Sequence, residues 1–182
     1  TNGMSATFFL DLDKFKQIND NYGHAVGDLL LKDVASRLLL CLRESDSLSR
    51  LSGDEFMIVL SQVSSQQAIA TVCEKILKSL SQPFDIDGLQ IRTSFSIGIS
   101  VFPEDGEDID TLLRQADVAL FEAKRKGRNT YQFFDQNMMD SLNRYTRTRD
   151  QLQLALARHE FEVYFQPQVR LDNGALIGVE AL

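Results

Sequence analysis

The stretch SLSRLSGDEFMIVL, from Ser47 to Leu60, sets the framework of the chain. Two strand-like runs, SLSRL and EFMIVL, flank Gly53, whose backbone freedom permits a tight turn, so the stretch predicts an antiparallel hairpin. Asp54 and Glu55 fall at this turn beside an apolar strand. Adjacent carboxylates repel each other and resist burial, so the turn needs a metal ion, a basic side chain or water beside it.

The segments on either side of the hairpin alternate between strand and helix periods. ATFFLDLD (6–13) predicts a strand, with Asp13 as the N-cap of a helix that begins in KFKQIND. A second helix is expected from about Asp28 to Arg43. A third helix ends at Pro83, and an Asp87-Gly88 turn signals another hairpin.

The next apolar strand, TSFSIGISVF, is weakened by Gly98 and is followed by a helix with Gly127 as its C-cap. NTYQFF is then predicted to be the last strand of this pattern. This order predicts an α+β fold with a central, antiparallel-rich sheet flanked by helices.

Near Phe134 the alternating strand and helix pattern gives way to a polar, helix-compatible stretch, and this change predicts the domain organisation. Residues 1–134 form the first domain, 135–160 a polar connecting helix, and 161–182 the first two strands of another domain. Two strands are too few to bury a core of their own.

Composition narrows the classes of function. With 182 residues, 43% hydrophobic and a formal net charge of -7, the chain is globular and unsuited to extensive contact with nucleic acid or anionic membrane. This net charge still permits a small phosphate ligand to bind at a local basic cluster. Cys41 and Cys73 are expected to be buried, reduced thiols, and no segment has the length of a membrane span or the form of a secretory signal. We therefore expect a cytoplasmic location for this segment, which leaves open a parent protein anchored elsewhere.

Three acids are candidates for a cation site. Asp11 ends the first strand, and neighbouring strands could bring it close to Asp54 and Glu55. Carboxylate oxygens suit magnesium, although each acid taken singly is more simply explained as a solvated turn residue. Lys16, near the start of the first helix, adds a cation and backbone amides suited to a polyphosphate.

Four motifs, in order and spacing, resemble the GGDEF-domain diguanylate cyclases: FFLDLDKFKQINDNYGHAVGDLLL, RESDSLSRLSGDEF, FSIGIS and ADVALFEAKRKGRN. The resemblance covers roughly residues 6–134. The tail YFQPQVRLDNGALIGVEAL is similar to the start of an EAL phosphodiesterase domain, with Gln166 and Glu180 at matching positions.

The resemblance implies condensation of two GTP molecules into cyclic di-GMP and pyrophosphate by a homodimer, with the GTP-loaded faces of the two domains meeting. It implies two Mg²⁺ ions per active site, with Mn²⁺ as an alternative, held by Asp11, the Leu12 carbonyl, Asp54 and Glu55. Asp54 matches the acid implicated in deprotonating the attacking hydroxyl. The remaining implied substrate contacts are Lys16, Lys124 and Arg128 for phosphates, Asn19 and Asp28 for guanine, and His24 near the nucleotide.

The resemblance also implies an inhibitory site for cyclic di-GMP at Arg43, Asp46 and Arg50. A guanidinium can bind phosphate or the O6/N7 edge of guanine, whereas a carboxylate takes the N1–H and N2–H donors. The simpler alternative is an exposed ion pair between Arg43 and Asp46. For His24, a neutral histidine that supports the loop is an equal alternative.

Two departures from the family pattern bear on activity. Ser52 replaces the first of the two glycines that usually precede the acids, and the helical segment that usually precedes the first strand is absent. Three functions are therefore compared: an active cyclase, a degenerate GTP-binding module that regulates a downstream EAL phosphodiesterase, and a cyclic di-GMP receptor. The intact acids and Lys16 favour the cyclase.

Overall fold

The structure is a computed structural model that describes residues 3–182. It divides into two compact units, the first ending at Leu142 and the second running from Asn143 to Leu182. The division lies within one helix, so the two units are described separately.

From residue 3 onward, the first unit contains seven strands, four helices and the start of a fifth helix. Its elements are β1 (Met4–Leu12), α1 (Phe15–Tyr22), α2 (His24–Leu39), β2 (Ser47–Ser52), β3 (Glu55–Val63), α3 (Gln66–Leu80), β4 (Phe84–Ile86), β5 (Leu89–Ile91), β6 (Phe95–Phe102), α4 (Ile109–Arg125) and β7 (Tyr131–Phe133), followed by α5 (Gln136–Ala157).

Five of these strands form the main sheet, in the order β2-β3-β1-β6-β7. All neighbours are antiparallel except β6 and β7, which are parallel. The separate β4–β5 hairpin turns at the predicted Asp87-Gly88 pair. The predicted α+β class with an antiparallel-rich sheet is confirmed.

The central strands are buried by helices. β1 buries Phe8, Leu10 and Leu12, and β6 is buried over almost its whole length. Gly98 of β6 is where α4 lies directly against the sheet, because a Cβ there would overlap the backbone oxygen of Ala116. The glycine predicted to weaken the strand is therefore the residue that lets the helix approach.

The prediction that Asp13 caps α1 is wrong. The N-cap is Lys14, in the left-handed region at φ 62°, and no side chain caps the helix. The carboxylate of Asp13 instead accepts hydrogen bonds from the hydroxyls of Ser94 (2.6 Å) and Ser96 (2.8 Å). A buried carboxylate must be satisfied by donors, and here they come from the β6 side rather than from the helix.

The predicted limits of the second helix are also wrong at both ends. α2 starts at His24, immediately after Gly23, whose φ of 86° lets α1 end and α2 begin at the same residue. The segment just before Asp28, which the predicted limits left outside the helix, is thus helical, and Asp28 lies within α2. The helix ends at Leu39 and not at Arg43, with Leu40 as its C-cap.

Other local predictions agree closely with the structure. α4 ends with Lys126 as the C-cap, and Gly127 follows at φ 114°, one residue from its predicted place. Cys41 and Cys73 are buried free thiols.

The second unit comprises the rest of α5 and a hairpin of β8 (Phe165–Val169) and β9 (Leu176–Ala181). Gln166 and Glu180 face each other in the register of this hairpin. The predicted domain limits at 134 and 160 stay predictions.

Candidate active site

Asp54 and Glu55, the two acids of the β2–β3 turn, lie beside the end of the central strand β1. Asp11 of β1 pairs in register with Glu55 of β3, and the backbone N–H of Leu12 donates to the carbonyl of Asp54 at 3.2 Å. The antiparallel pairing therefore places all three predicted acids at one end of the β1–β3 pair, as the spacing of the sequence suggested.

Asp11 is already paired with a cation. Its Oδ2 lies 2.7 Å from Nζ of Lys124, which reaches it from the last turn of α4. Burial raises the pKa of the Asp11 carboxyl, while the Lys124 hydrogen bond and charge lower it and the nearby Asp54 raises it further. The ammonium group thus offsets part of the cost of burying this carboxylate.

The fit to a metal ion rests on donor chemistry. Within residues 3–182, no group of three or more His, Cys, Asp or Glu side chains is gathered closely enough to hold a metal. Even so, the carboxylates of Asp11, Asp54 and Glu55 are hard oxygen donors, and Asp11 attracts an ammonium ion to this position. These residues fit a divalent cation in type and charge.

The hairpin turn is held by two side-chain hydrogen bonds. Ser52 donates from Oγ to Oε2 of Glu55 at 2.7 Å, and Arg50 donates from Nε to the carbonyl of Gly53 at 2.9 Å. Sequence reasoning treated Ser52 only as a departure from the family pattern and did not foresee its contact with Glu55.

Asp13 is the main feature of this region that the sequence analysis missed. Besides the two serines, its carboxylate accepts from the backbone N–H of Asn129 at 3.2 Å and lies 3.9 Å from Nε of Arg128. It therefore joins the end of β1 to the turn after α4, the segment that carries Arg128. The serines at alternate positions 94 and 96 were the available signal, because their hydroxyls are the donors that a buried acid needs.

A second acid that the sequence analysis did not select is Asp117, on α4. Desolvation raises the pKa of its carboxyl, with a further contribution from the negative charge of Glu55, and Lys124 lowers it. The surroundings of Glu55 therefore include Asp117 as well as the acids of the strand ends.

The residues proposed to select guanine lie on α1 and α2. Oδ1 of Asn19 is buried without a hydrogen-bond partner, which leaves an acceptor to be satisfied. Gly27 makes room for it, because a Cβ at this position would overlap Oδ1 of Asn19. His24 and Asp28 are exposed along the first part of α2.

A cleft of about 540 Å³ lies next to this site rather than over its acids. Its lining includes Lys14, Arg92 and Arg128, with Asp13 and the aromatic ring of Tyr22. Asp11, Asp54 and Glu55 do not line it, and neither do Lys16 and Asn19, so this cleft shares only Arg128 with the predicted substrate contacts.

The three residues of the predicted inhibitory site are not gathered in one place. Arg43 and Asp46 line a small cleft of about 150 Å³ with part of β3 and α3. Arg50 does not line this cleft, since it lies at the other end of β2 and bonds to the turn. The structure thus brings together Arg43 and Asp46 alone.

Comparison with known proteins places these features in context. The family model described as "Diguanylate cyclase, GGDEF domain" matches residues 2–130. MucR of Pseudomonas aeruginosa, named a bifunctional diguanylate cyclase/cyclic di-GMP phosphodiesterase, is 42% identical over 177 residues, which are 97% of this chain and 26% of MucR. NbdA of the same organism, named a cyclic di-GMP phosphodiesterase, is 36% identical over 97% of this chain and 22% of its own length. The chain thus spans about a quarter of the length of these relatives.

Solved structures show the same architecture. The GGDEF domain of Pseudomonas aeruginosa TpbB matches with a TM-score of 0.76 at 37% identity, over 78% of this chain and 83% of that one. The GGDEF domain of Caulobacter crescentus DgcB, solved in complex with cyclic di-GMP, matches with a TM-score of 0.66 at 27% identity, over 71% of this chain and 77% of that one. Over the part of the chain that the structure covers, none of the helices has the length and apolar character needed to cross a lipid bilayer.

Proposed function

Since the chain belongs to the GGDEF family of diguanylate cyclase domains, we propose that it condenses two GTP molecules into cyclic di-GMP and pyrophosphate. The observation that carries this proposal is the meeting of Asp11 with Glu55 across β1 and β3, with Asp54 beside them in the turn. A domain that only bound GTP would have no need of this full set of acids.

In the proposed site, the carboxylates of Asp11, Asp54 and Glu55 and the Leu12 carbonyl would hold Mg²⁺. Two such ions, when bound, neutralise charge on the triphosphate and on the leaving pyrophosphate. Lys124, now paired with Asp11, would turn its ammonium group to the phosphates, which Lys16 and Arg128 also contact.

Proton movement is assigned to Asp54. Its carboxylate would accept the proton of the 3′-hydroxyl that attacks the α-phosphate of the GTP on the partner domain. Each domain supplies one GTP, so a homodimer with its active faces together is required.

Guanine selection is assigned to Asn19 and Asp28. The unpartnered Oδ1 of Asn19 and the carboxylate of Asp28 are acceptors that suit the N1–H and N2–H donors of guanine. Adenine has no donor at N1 and carries its amino group at another position, so it would leave these acceptors unsatisfied. His24, exposed at the start of α2, is placed near the nucleotide in this proposal.

Product inhibition is proposed at Arg43 and Asp46. The bound molecule would be cyclic di-GMP, the ligand in the DgcB structure. The family pattern also assigns Arg50 to this site, and Nε of Arg50 donates to the carbonyl of Gly53 at the turn.

The second candidate is a GTP-binding module that regulates an EAL phosphodiesterase downstream. NbdA is named a phosphodiesterase although it aligns with 97% of this chain. Ser52 in place of glycine is the feature of the present sequence that favours this alternative. In that case Gln166 and Glu180 would belong to the start of the EAL domain.

The deciding experiment is incubation of the purified chain with GTP and Mg²⁺, with detection of cyclic di-GMP by mass spectrometry. Asp54→Asn should abolish product while GTP binding, measured by calorimetry, stays close to that of the wild type. Asp87→Asn, in the turn of the β4–β5 hairpin, is the matched control and should retain activity. GTP binding by the wild type without any product would instead support the regulatory module.

A further inference from the structure

Ser52 and Glu55 close the hairpin turn that carries the acids. They are partners in the β2–β3 register and flank Gly53 and Asp54, with a register shift between Arg50 and Ser52 just before the turn. Gly53 has a φ of 44°, a left-handed conformation that glycine adopts readily. The side chains of the two flanking residues are thereby brought together.

The contact between them is a short, charge-assisted hydrogen bond. The 2.7 Å from Ser52 Oγ to Glu55 Oε2 is typical of a hydroxyl that donates to a carboxylate. A glutamate side chain has several rotatable bonds, and a hydroxyl donor on the opposite side of the turn restricts them. Glycine at position 52 offers no such donor.

The bond also leaves the carboxylate able to bind a cation. Only Oε2 is engaged by Ser52, and an ionised carboxylate has acceptor capacity on both oxygens. Since Arg50 holds the carbonyl of Gly53 on the same turn, the loop is fixed at its backbone and at one of its acids.

We propose that Ser52 is a positioning residue that restrains the carboxylate of Glu55 at the acidic turn and so strengthens divalent-cation binding there. The serine that departs from the family pattern would then support the site rather than impair it. The role in turnover rests on the proposed cyclase function, whereas the role in cation binding can be tested without turnover.

The test compares Ser52→Ala with Ser52→Thr, which retains the hydroxyl, and with Ser49→Ala, which removes an exposed hydroxyl from the same strand. The dissociation constant for Mn²⁺ is measured by calorimetry on the chain without nucleotide, and kcat and KM for GTP are measured with Mg²⁺. Thermal unfolding of each variant verifies that the fold is retained.

Loss of the hydroxyl should weaken Mn²⁺ binding about 5-fold and lower kcat by a similar factor, since one hydrogen bond to a charged group is lost. KM for GTP should stay near the wild-type value, and both Ser52→Thr and Ser49→Ala should behave as the wild type. Wild-type Mn²⁺ affinity in Ser52→Ala would overturn the proposal. A wild-type chain that makes no cyclic di-GMP would overturn the proposed function, and the Mn²⁺ measurements would still decide the role of Ser52.

Discussion

The carboxylate of Asp46 accepts a hydrogen bond from the backbone N–H of Arg43, at 2.9 Å, and not from its guanidinium. Its other oxygen accepts from the backbone N–H of Ser61 at 3.3 Å. Between positions 3 and 182, the ion pairs do not include one between Arg43 and Asp46. The simple surface ion pair considered from the sequence is therefore absent from the described chain.

Arg43→Ala should weaken the binding of cyclic di-GMP and relieve product inhibition without lowering the initial rate. The guanidinium is exposed beside the small cleft and would be lost as a donor to phosphate or guanine. Calorimetry with cyclic di-GMP should show a loss in affinity of about 10-fold or more. Arg92→Ala, which removes an arginine from the larger cleft, is the control, and equal affinities for wild type and Arg43→Ala would exclude the assignment.

Asp28→Ala should reduce discrimination between GTP and ATP by about 100-fold, because the donors of guanine lose a charged acceptor. The measurement is the inhibition constant of ATP relative to KM for GTP. Asp33→Ala removes another exposed acid from α2 and should leave this ratio unchanged. If ATP competes no better with Asp28→Ala than with the wild type, Asp28 does not read the base.

Gly98→Ala should destabilise the first unit by about 3 kcal/mol, since the added Cβ would overlap backbone atoms of Ala116 and Leu120. Backbone cannot move away as a flexible side chain can, so α4 and the Lys124 that it carries would shift. Gly178→Ala is the control, because its Cβ would meet only Oε1 of Gln168 at 3.5 Å. Urea unfolding measures both variants, and equal stability of Gly98→Ala and wild type would contradict the close approach.

Arg125→Ala should lower stability at pH 7 and lose this effect at acidic pH. The Arg125 hydrogen bond lowers the pKa of the buried Glu122 carboxyl, so the unfolded chain binds more protons between the two pKa values. The stabilisation from the Arg125–Glu122 contact is thus complete above the pKa that Glu122 has in the unfolded chain. It disappears as the pH falls through the lower pKa that Glu122 has in the folded chain. Urea midpoints of Arg125→Ala and wild type at pH 7 and pH 3 test this, and a difference that is the same at both would refute it.

The sheet was predictable because each strand carries its own signal. The apolar run of β3, the glycine between β2 and β3, and the buried pattern of β6 are properties of single segments. The convergence of Asp11 with Glu55 also followed, since antiparallel register relates strand ends to turns.

The role of Asp13 could not be read from the sequence in the same way. An aspartate before a helix ordinarily caps it, and only the fold reveals that Ser94, Ser96 and Asn129 compete for the same carboxylate. The prediction of where α2 starts was wrong for a related reason. The helix was predicted to begin only after Gly27, yet Gly27 lies within it and makes room for Oδ1 of Asn19.

The β2 strand fixes the spacing between two ends of the hairpin. Arg43 and Asp46 precede it, and the acidic turn follows it, with six residues in between. An extended strand rises about 3.3 Å per residue, so the strand alone, about 20 Å long, separates a small molecule held at Asp46 from the acidic turn of the same chain. A ligand there is too distant to displace GTP by contact. We expect its control to act instead on how two copies of the domain approach each other, which would make the length of this strand a determinant of regulation.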